Sequence, residues 1–371
     1  MRTAYIARSV IPSQSANSIH VMKIAEAFSG LAEEFSLIIP ECKSEIGSLE
    51  ESFAYYNVEK FSISSVKVNL NNSLQSRYLF PWKAVRLALK KKADVIVTRD
   101  PIVAFLAVCL KKKTVLDLHG EIAHLCGRAY RMIKWKGFTE NKYLHLVMIS
   151  GELCKYYHEK YHVPMECMTV LPDGYTAKNF NETNENEILK NERLSIGYCG
   201  GFLTGKGIGI IAQMAREDQE NTYHMYGGNR TKAEKEIKEE FPPNVEFHGY
   251  IPNAQVPIML QRHDILLLPN QEEQICKGED IGKVTSPLKM FEYMASGRVI
   301  IASDIPVLRE VLSEQNSYLV QADNPQAWVE TVKHIKKRRQ EAIRKAEQAK
   351  KEVNQYSWES RARKMLNLAE K

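Results

Sequence analysis

The chain lacks a paired cysteine motif, a long apolar run and any low-complexity tract. Its seven cysteines, Cys42, Cys109, Cys126, Cys154, Cys167, Cys199 and Cys276, are odd in number and scattered without a C-x-x-C pair. That argues against a disulfide framework or a zinc site and for a reducing compartment. The best apolar run, Ile102 to Leu110, falls well short of the roughly 20 residues that a membrane-crossing helix needs. Met1 leads directly into a strand-like stretch, Thr3 to Ala7, with no apolar signal core. A cytoplasmic protein is expected, soluble or peripheral on the inner face of the membrane. No G-x-G-x-x-G follows the opening strand, where Pro12-Ser13-Gln14-Ser15-Ala16-Asn17 stands instead, which disfavours a dinucleotide-dependent oxidoreductase.

What is present is enough apolar residue for two cores. The 371 residues are 44% apolar and 26% charged, more than one hydrophobic core usually organises. Short apolar strands alternate with amphipathic helices in both halves, predicting α/β domains with parallel sheets covered on both faces. The first domain is expected over 1–175, with a helix near Arg131 to Leu144 among its elements. An exposed Asn-, Glu- and Lys-rich linker is expected over 176–192, then a second domain over 193–356 with one long helix from Pro325 to Gln348. A closing helix, 357–371, is expected to pack back on the first domain. The formal net charge is +6, and 15 Lys or Arg stand against 5 Asp or Glu between Arg77 and Lys142. That basic region reads either as solvated helix ends or as attraction to an anionic membrane or acceptor. Nucleic acid is disfavoured, because no recognition motif accompanies the charge.

Ligands of open parallel sheets sit outside the carboxyl ends of the strands, and two facing sheets would share a cleft there. In the second domain the run Thr285-Ser286-Pro287-Leu288-Lys289-Met290-Phe291-Glu292 reads as a turn entering a helix. Ser286 is expected as N-cap and Pro287 at the first helical position, so free N–H groups around Leu288 and Lys289 face an anion. Glu292, on the same helix, suits a diol. Gly200-Gly201-Phe202-Leu203-Thr204-Gly205-Lys206-Gly207 after an earlier strand reads either as a loop approaching a diphosphate, with Lys206 neutralising it, or as a plain turn with a surface lysine. Tyr226-Gly227-Gly228 and His248-Gly249-Tyr250 let a base or ribose approach, or are tight turns. In the first domain the strand-end candidates are Asn17, Arg99, which either contacts an anion or pairs with a carboxylate, and His119, which either touches sugar or acceptor or caps a turn. Asp173-Gly174 reads as an exit turn.

In order and spacing these motifs, together with His263-Asp264-Ile265-Leu266-Leu267-Leu268-Pro269, Thr98-Arg99-Asp100-Pro101, Asp117-Leu118-His119-Gly120 and Tyr356-Ser357-Trp358-Glu359, resemble the family 4 glycosyltransferases of GT-B architecture. The resemblance implies two doubly wound Rossmann-like domains facing across a cleft. It implies metal-independent transfer of a sugar, with retention, from a UDP- or GDP-type nucleotide-sugar to a glycan or lipid-linked acceptor in cell-surface polysaccharide synthesis, with no cofactor. His119, Lys206 and Glu292 would be catalytic. Gly200, Gly201, Gly205, Lys206, Gly227, Tyr250, Ser286, Pro287, Leu288, Lys289 and Glu292 would hold the donor, and Asn17, Arg99 and His119 would lie on the acceptor or sugar side. The chain departs from the family's pattern at Gly201, commonly Arg, at Val284, commonly Glu, and at Ala16, often Gly. Glu279 or Asp280 could stand in for the missing carboxylate. A nucleotide-sugar epimerase and a non-catalytic nucleotide-sugar scaffold are the alternative readings.

Overall fold

The central strands are short β-branched or leucine-rich runs, and three of them, Val95–Thr98, Ile265–Leu268 and Val299–Ser303, bury every residue. Such runs have no polar face to offer water, so they form central strands covered on both sides. The computed structural model describes residues 1–42, 44, 46–122, 127–180, 188–276, 279–280, 282–284 and 286–370, with the backbone alone at 127–130, 275–276 and 279–280. The chain divides into two compact units, Met1–Asp173 with Trp358–Lys371, and Gly174–Ser357.

The first unit is built on β1 (Arg2–Ile6), β2 (Glu34–Pro40), β3 (Ile63–Val66), β4 (Val95–Thr98), β5 (Lys113–Leu118), β6 (Leu144–Met148) and β7 (Met168–Val170). They form one sheet in the order β3-β2-β1-β4-β5-β6-β7, every pair parallel. The order reverses beside β1, so crossovers lead away on both sides of β1 and β4 and open a crevice at their carboxyl ends. The closing helix, Trp358–Glu370, buries Trp358, Arg361, Ala362, Met365, Leu366 and Ala369, a stripe at helical spacing, and packs against the Ala16–Leu31 helix and β5.

The second unit is built on β8 (Ser195–Cys199), β9 (Thr222–Tyr226), β10 (Val245–Phe247), β11 (Ile265–Leu268), β14 (Val299–Ser303) and β15 (Tyr318–Val320), ordered β10-β9-β8-β11-β14-β15. A two-stranded antiparallel hairpin, β12 (Ile275–Cys276) and β13 (Glu279–Asp280), lies outside that sheet. The switch falls between β8 and β11, which puts the loops after those two strands at the crevice.

Several expectations change. The helix expected near Arg131 to Leu144 is a 3-10 segment, Gly127–Lys134, and a single turn, Lys136–Thr139. Asn141 ends it, because its side chain takes the Tyr143 N–H at 3.0 Å and its carbonyl the Leu144 N–H, a local alternative to helical bonds. The helix expected from Pro325 to Gln348 is two, Pro325–Lys337 and Arg339–Glu352, broken where Arg338 adopts φ −121° and ψ 45°. The segment 176–192 is no exposed linker at its flanks: Phe180, Ile188 and Leu189 are buried in the second unit's cores, and the Asp264 carboxylate accepts the Leu189 N–H at 2.7 Å. The middle of that segment, 181–187, lies outside the described residues, as does Thr285.

Candidate functional site

In the second unit, β8 ends at Cys199, and the helix Leu288–Ser296 is fastened to that end. The Tyr293 hydroxyl accepts the Cys199 N–H at 2.8 Å and donates to the Cys199 carbonyl at 3.3 Å. The helix begins one residue later than expected. Pro287, extended at φ −78° and ψ 124°, is its N-cap, and among the described residues no side chain caps the first turn. Ser286 therefore stands outside the helix, where its hydroxyl does not reach the first-turn N–H groups. Its Oγ is buried without a hydrogen-bond partner among the described residues.

Lys289, in the first turn, is the second buried polar group there without a hydrogen-bond partner among the described residues. Its Nζ lies 4.0 Å from the centre of the Tyr198 ring, and the Tyr198 hydroxyl donates to the Gly201 carbonyl at 3.1 Å. A Cβ placed on Gly200 would come within 3.4 Å of Nζ, so the ammonium sits directly beside the glycine turn. Burial pushes its pKa well down, and the charge of Lys206 pushes the same way. Glu292, three residues further on and half-buried, adds its charge to the burial that pushes the Cys199 thiol up to about 12. Lys206, Lys289 and Glu292 thus converge on the carboxyl end of β8. The site offers two cations, one carboxylate and the open N-terminal N–H groups of a helix around Leu288.

The glycines divide by cause. Gly207 has φ +74°, and a Cβ there would lie 1.8 Å from the Pro269 carbonyl oxygen; at Gly227, with φ +116°, it would lie 2.2 Å from that of Gly200. Gly205 is likewise closed off, by the backbone of Glu273. These three are demanded by chain packing. Gly201 is different, because a Cβ there would meet nothing nearer than Leu203 at 3.8 Å. Three turns are laced together, Gly200 N–H donating to the Tyr226 carbonyl at 2.9 Å and Gly227 N–H to the Gly249 carbonyl at 2.7 Å. Tyr250 follows with 40% of its surface exposed.

In the first unit the three expected residues meet. Arg99 donates to the Asn17 side-chain oxygen at 2.7 Å, an amide partner in place of a carboxylate. Asn17 donates to the Ser9 hydroxyl at 3.0 Å, and burial with the nearby Arg99 charge lowers the His119 pKa. Neutral His119 is bound through Nε2 to Asp117 at 3.0 Å. A proton on Nε2 satisfies that carboxylate and leaves Nδ1 as an acceptor for a hydroxyl.

Behind them lies a buried network that sequence reasoning missed. Burial pushes the Asp117 carboxyl up, but Arg361 and His119 outweigh it and hold it well below the usual range. Arg361 also donates to the carbonyls of Leu171 and Pro172, at 3.2 and 3.0 Å. His20 stands edge-on to both His119 and Trp358, ring centres 4.6 and 5.1 Å away, with Nε2 3.2 Å from Asp173. Asp173 is therefore more than an exit turn. The one available signal was the Asp117-x-His119 spacing, which puts both side chains on one face of a strand end.

Among the described residues, two groups of side chains have the geometry to hold a metal ion: His20, Asp117 and His119, and His224, Glu246 and His248. In the first, Arg361 already occupies both Asp117 oxygens, so a cation there would meet a guanidinium.

Comparison with known proteins bears on both units. Residues 193–337 match the family described as "Glycosyl transferases group 1". A glycosyltransferase structure from Rickettsia africae superposes with a TM-score of 0.75 at 15% identity, covering 100% of this chain and 97% of that one. Anabaena HepE, in complex with UDP and glucose, gives 0.73 at 12%, covering 98% of each. The chain has the GT-B glycosyltransferase fold. Among curated relatives, a Bacillus subtilis protein assigned provisionally to teichuronic acid biosynthesis as the glycosyltransferase TuaH is 22% identical over 135 residues, 36% of this chain and 32% of that one. The matched stretch spans about a third of the length of the curated relatives.

Proposed function

We propose that the protein is a retaining, metal-independent glycosyltransferase of the family 4 type, moving a sugar from a UDP- or GDP-type donor to a glycan or lipid-linked acceptor in cell-surface polysaccharide synthesis. The observation that carries this reading is the Lys289 ammonium, buried without a hydrogen-bond partner among the described residues, beside Gly200, at the N-terminus of its helix and close to Lys206. A buried cation costs stability unless an anion compensates it, and a diphosphate is the anion that this helix end and two lysines suit. Relatives fit the same picture: HepE is bound to UDP and glucose.

Charge develops on the departing diphosphate as the glycosidic bond breaks. Lys206, Lys289 and the N–H groups around Leu288 stabilise that charge more in the transition state than in the ground state. Glu292 accepts from the ribose hydroxyls, and Tyr250 flanks the base. In the first unit His119, neutral and held by Asp117, accepts a hydrogen bond from a sugar hydroxyl, while Arg99 and Asn17 line the acceptor or sugar side. No side-chain nucleophile is needed.

Incubation with UDP- and GDP-sugars in the absence of acceptor and metal tests the reading. Slow hydrolysis of one donor, whose first-formed free sugar keeps the donor's anomeric configuration by proton NMR, is the expected result. Conversion of the donor to its epimer would support the epimerase reading. No turnover with any donor and acceptor mixture, with nucleotide still bound, would favour a scaffold.

Peripheral attachment to an anionic membrane belongs to the same proposal. No helix among the described residues is long and apolar enough to cross a membrane. The segment entering and forming the Phe80–Lys90 helix exposes Leu74, Tyr78 and Trp82 at four-residue spacing, with Arg86 stacked 4.6 Å over Trp82. Basic and aromatic side chains on one face suit a lipid headgroup region. Binding to anionic vesicles should weaken with salt and with Trp82→Ala; binding indifferent to salt and lipid charge would refute it.

A further inference from the structure

On β9 and β10, beside the Gly227 and Gly249 turns, lies a second constellation whose side chains have no role in the proposed transfer. His224 and Glu246 are register partners on neighbouring parallel strands. His248 follows two residues after Glu246, so its side chain returns to the same face of the sheet. The three donor atoms are mutually close. His224 Nδ1 lies 3.0 Å from His248 Nε2 and 3.3 Å from Glu246 Oε2, which is 3.8 Å from His248 Nε2. A tetrahedral ion with bonds of about 2.0–2.1 Å keeps neighbouring ligand atoms about 3.3 Å apart, the middle of that range.

The surroundings hold these rings in place. His248 stacks on Tyr226, ring centres 4.5 Å apart and planes at 16°. His224 lies against His263, 5.0 Å away. His263 is itself fixed by Ser195 Oγ at 2.8 Å and the Tyr226 hydroxyl at 3.1 Å. Room for the His263 ring exists because position 197 is glycine; a Cβ there would lie 2.6 Å from the ring. Access is open on the other side, since β10 is the edge strand and the side chains of His224, His248 and Glu246 are 17%, 34% and 56% exposed.

We propose that His224, Glu246 and His248 bind a divalent transition-metal ion of the zinc class, through two imidazole nitrogens and one carboxylate oxygen, with water completing the shell. Two imidazoles and a carboxylate are the donor set such ions prefer, and calcium or magnesium would favour oxygen alone. The ion ties the edge strand to its neighbour directly below the turns at Gly227 and Gly249. It is a clamp on the fold and supplies nothing to the transfer step, so this inference stands or falls separately from the proposed activity.

The test uses tag-free full-length protein, stripped with a chelator and titrated with Co2+ and Zn2+. One equivalent of Co2+ should give the intense visible bands of a tetrahedral site, displaced by one equivalent of Zn2+, and Zn2+ should raise the melting temperature. His248→Gln and Glu246→Gln, both at accessible positions, should each weaken Zn2+ binding at least tenfold, while His334→Gln, far along the chain, should leave it unchanged. Absence of a tetrahedral Co2+ spectrum, or Zn2+ affinity unaltered in both site variants, would overturn the proposal. Melting curves without metal confirm that the variants fold.

Discussion

Arg361, on the last helix of the chain, forks onto both oxygens of the Asp117 carboxylate at 2.8 and 3.1 Å, with the two side chains 3% and 2% exposed. Their partnership spans 244 positions of sequence and links the closing helix to the residue that holds His119. Breaking a buried pair from one side leaves a charge without its partner. Arg361→Met should therefore cost about 3–5 kcal/mol of stability, read as a fall in the urea midpoint. Arg363→Met, which removes an exposed pair with Glu359, should cost less than about 1 kcal/mol. Equal effects would contradict the assignment.

His20 makes stability depend on acid. Burial lowers its pKa from 6.5 to about 3, with Asp173 opposing and His119 and Arg99 reinforcing the shift. A group whose pKa is depressed on folding binds protons more readily when unfolded, so stability is full above about pH 6.5 and drains away as pH falls toward 3. Denaturation midpoints measured across that window should fall steadily, and His20→Gln should flatten the slope. A slope unchanged by the substitution would place the acid sensitivity elsewhere, on carboxylates such as Asp117 and Asp173 whose loss comes below about pH 4.

The two kinds of glycine predict opposite outcomes. Gly207→Ala forces a side chain into the Pro269 carbonyl at a left-handed position and should destabilise by roughly 2 kcal/mol or more. Gly201→Ala makes only ordinary contact with Leu203, at 3.8 Å, and should stay within about 0.5 kcal/mol of the parent. Gly201→Arg adds a third cation near Lys206 and Lys289 and should tighten nucleoside diphosphate binding; weaker binding would count against a diphosphate there.

Lys289 should reveal itself by proton uptake. Its pKa is depressed by burial and by Lys206, and a bound diphosphate favours the charged form, raising that pKa. Binding heats measured in buffers of different ionisation enthalpy should show protons taken up at pH above the depressed value, and Lys289→Met should abolish the effect.

Much of this was legible in the sequence because it is local. The runs at Val95–Thr98 and Ile265–Leu268 read directly as strands, and the helix after Ser286 read to within one residue of its observed start. Other features depend on partners that a linear reading does not supply. β3 has two serines in its four residues, Ile63–Val66, so its apolar signal is weak. Ser286 looked like a cap, but Pro287 takes that place and strands its hydroxyl. Phe180, Ile188 and Leu189 look like isolated apolar residues in a polar segment until the second unit's core is assembled around them. Asp117, His20, Asp173 and Arg361 were visible as residues, and only the fold brings them together.

The central claim is that the second unit holds a nucleoside diphosphate on Lys206, Lys289 and the Leu288–Ser296 helix. Calorimetric titration of UDP, GDP and ADP into the parent protein, Lys206→Ala and Glu292→Ala, without added metal, tests it most directly. The account predicts selective binding of one nucleotide, weakened about tenfold or more in each variant, about 1.4 kcal/mol. No binding of any of the three to the folded parent protein would contradict it.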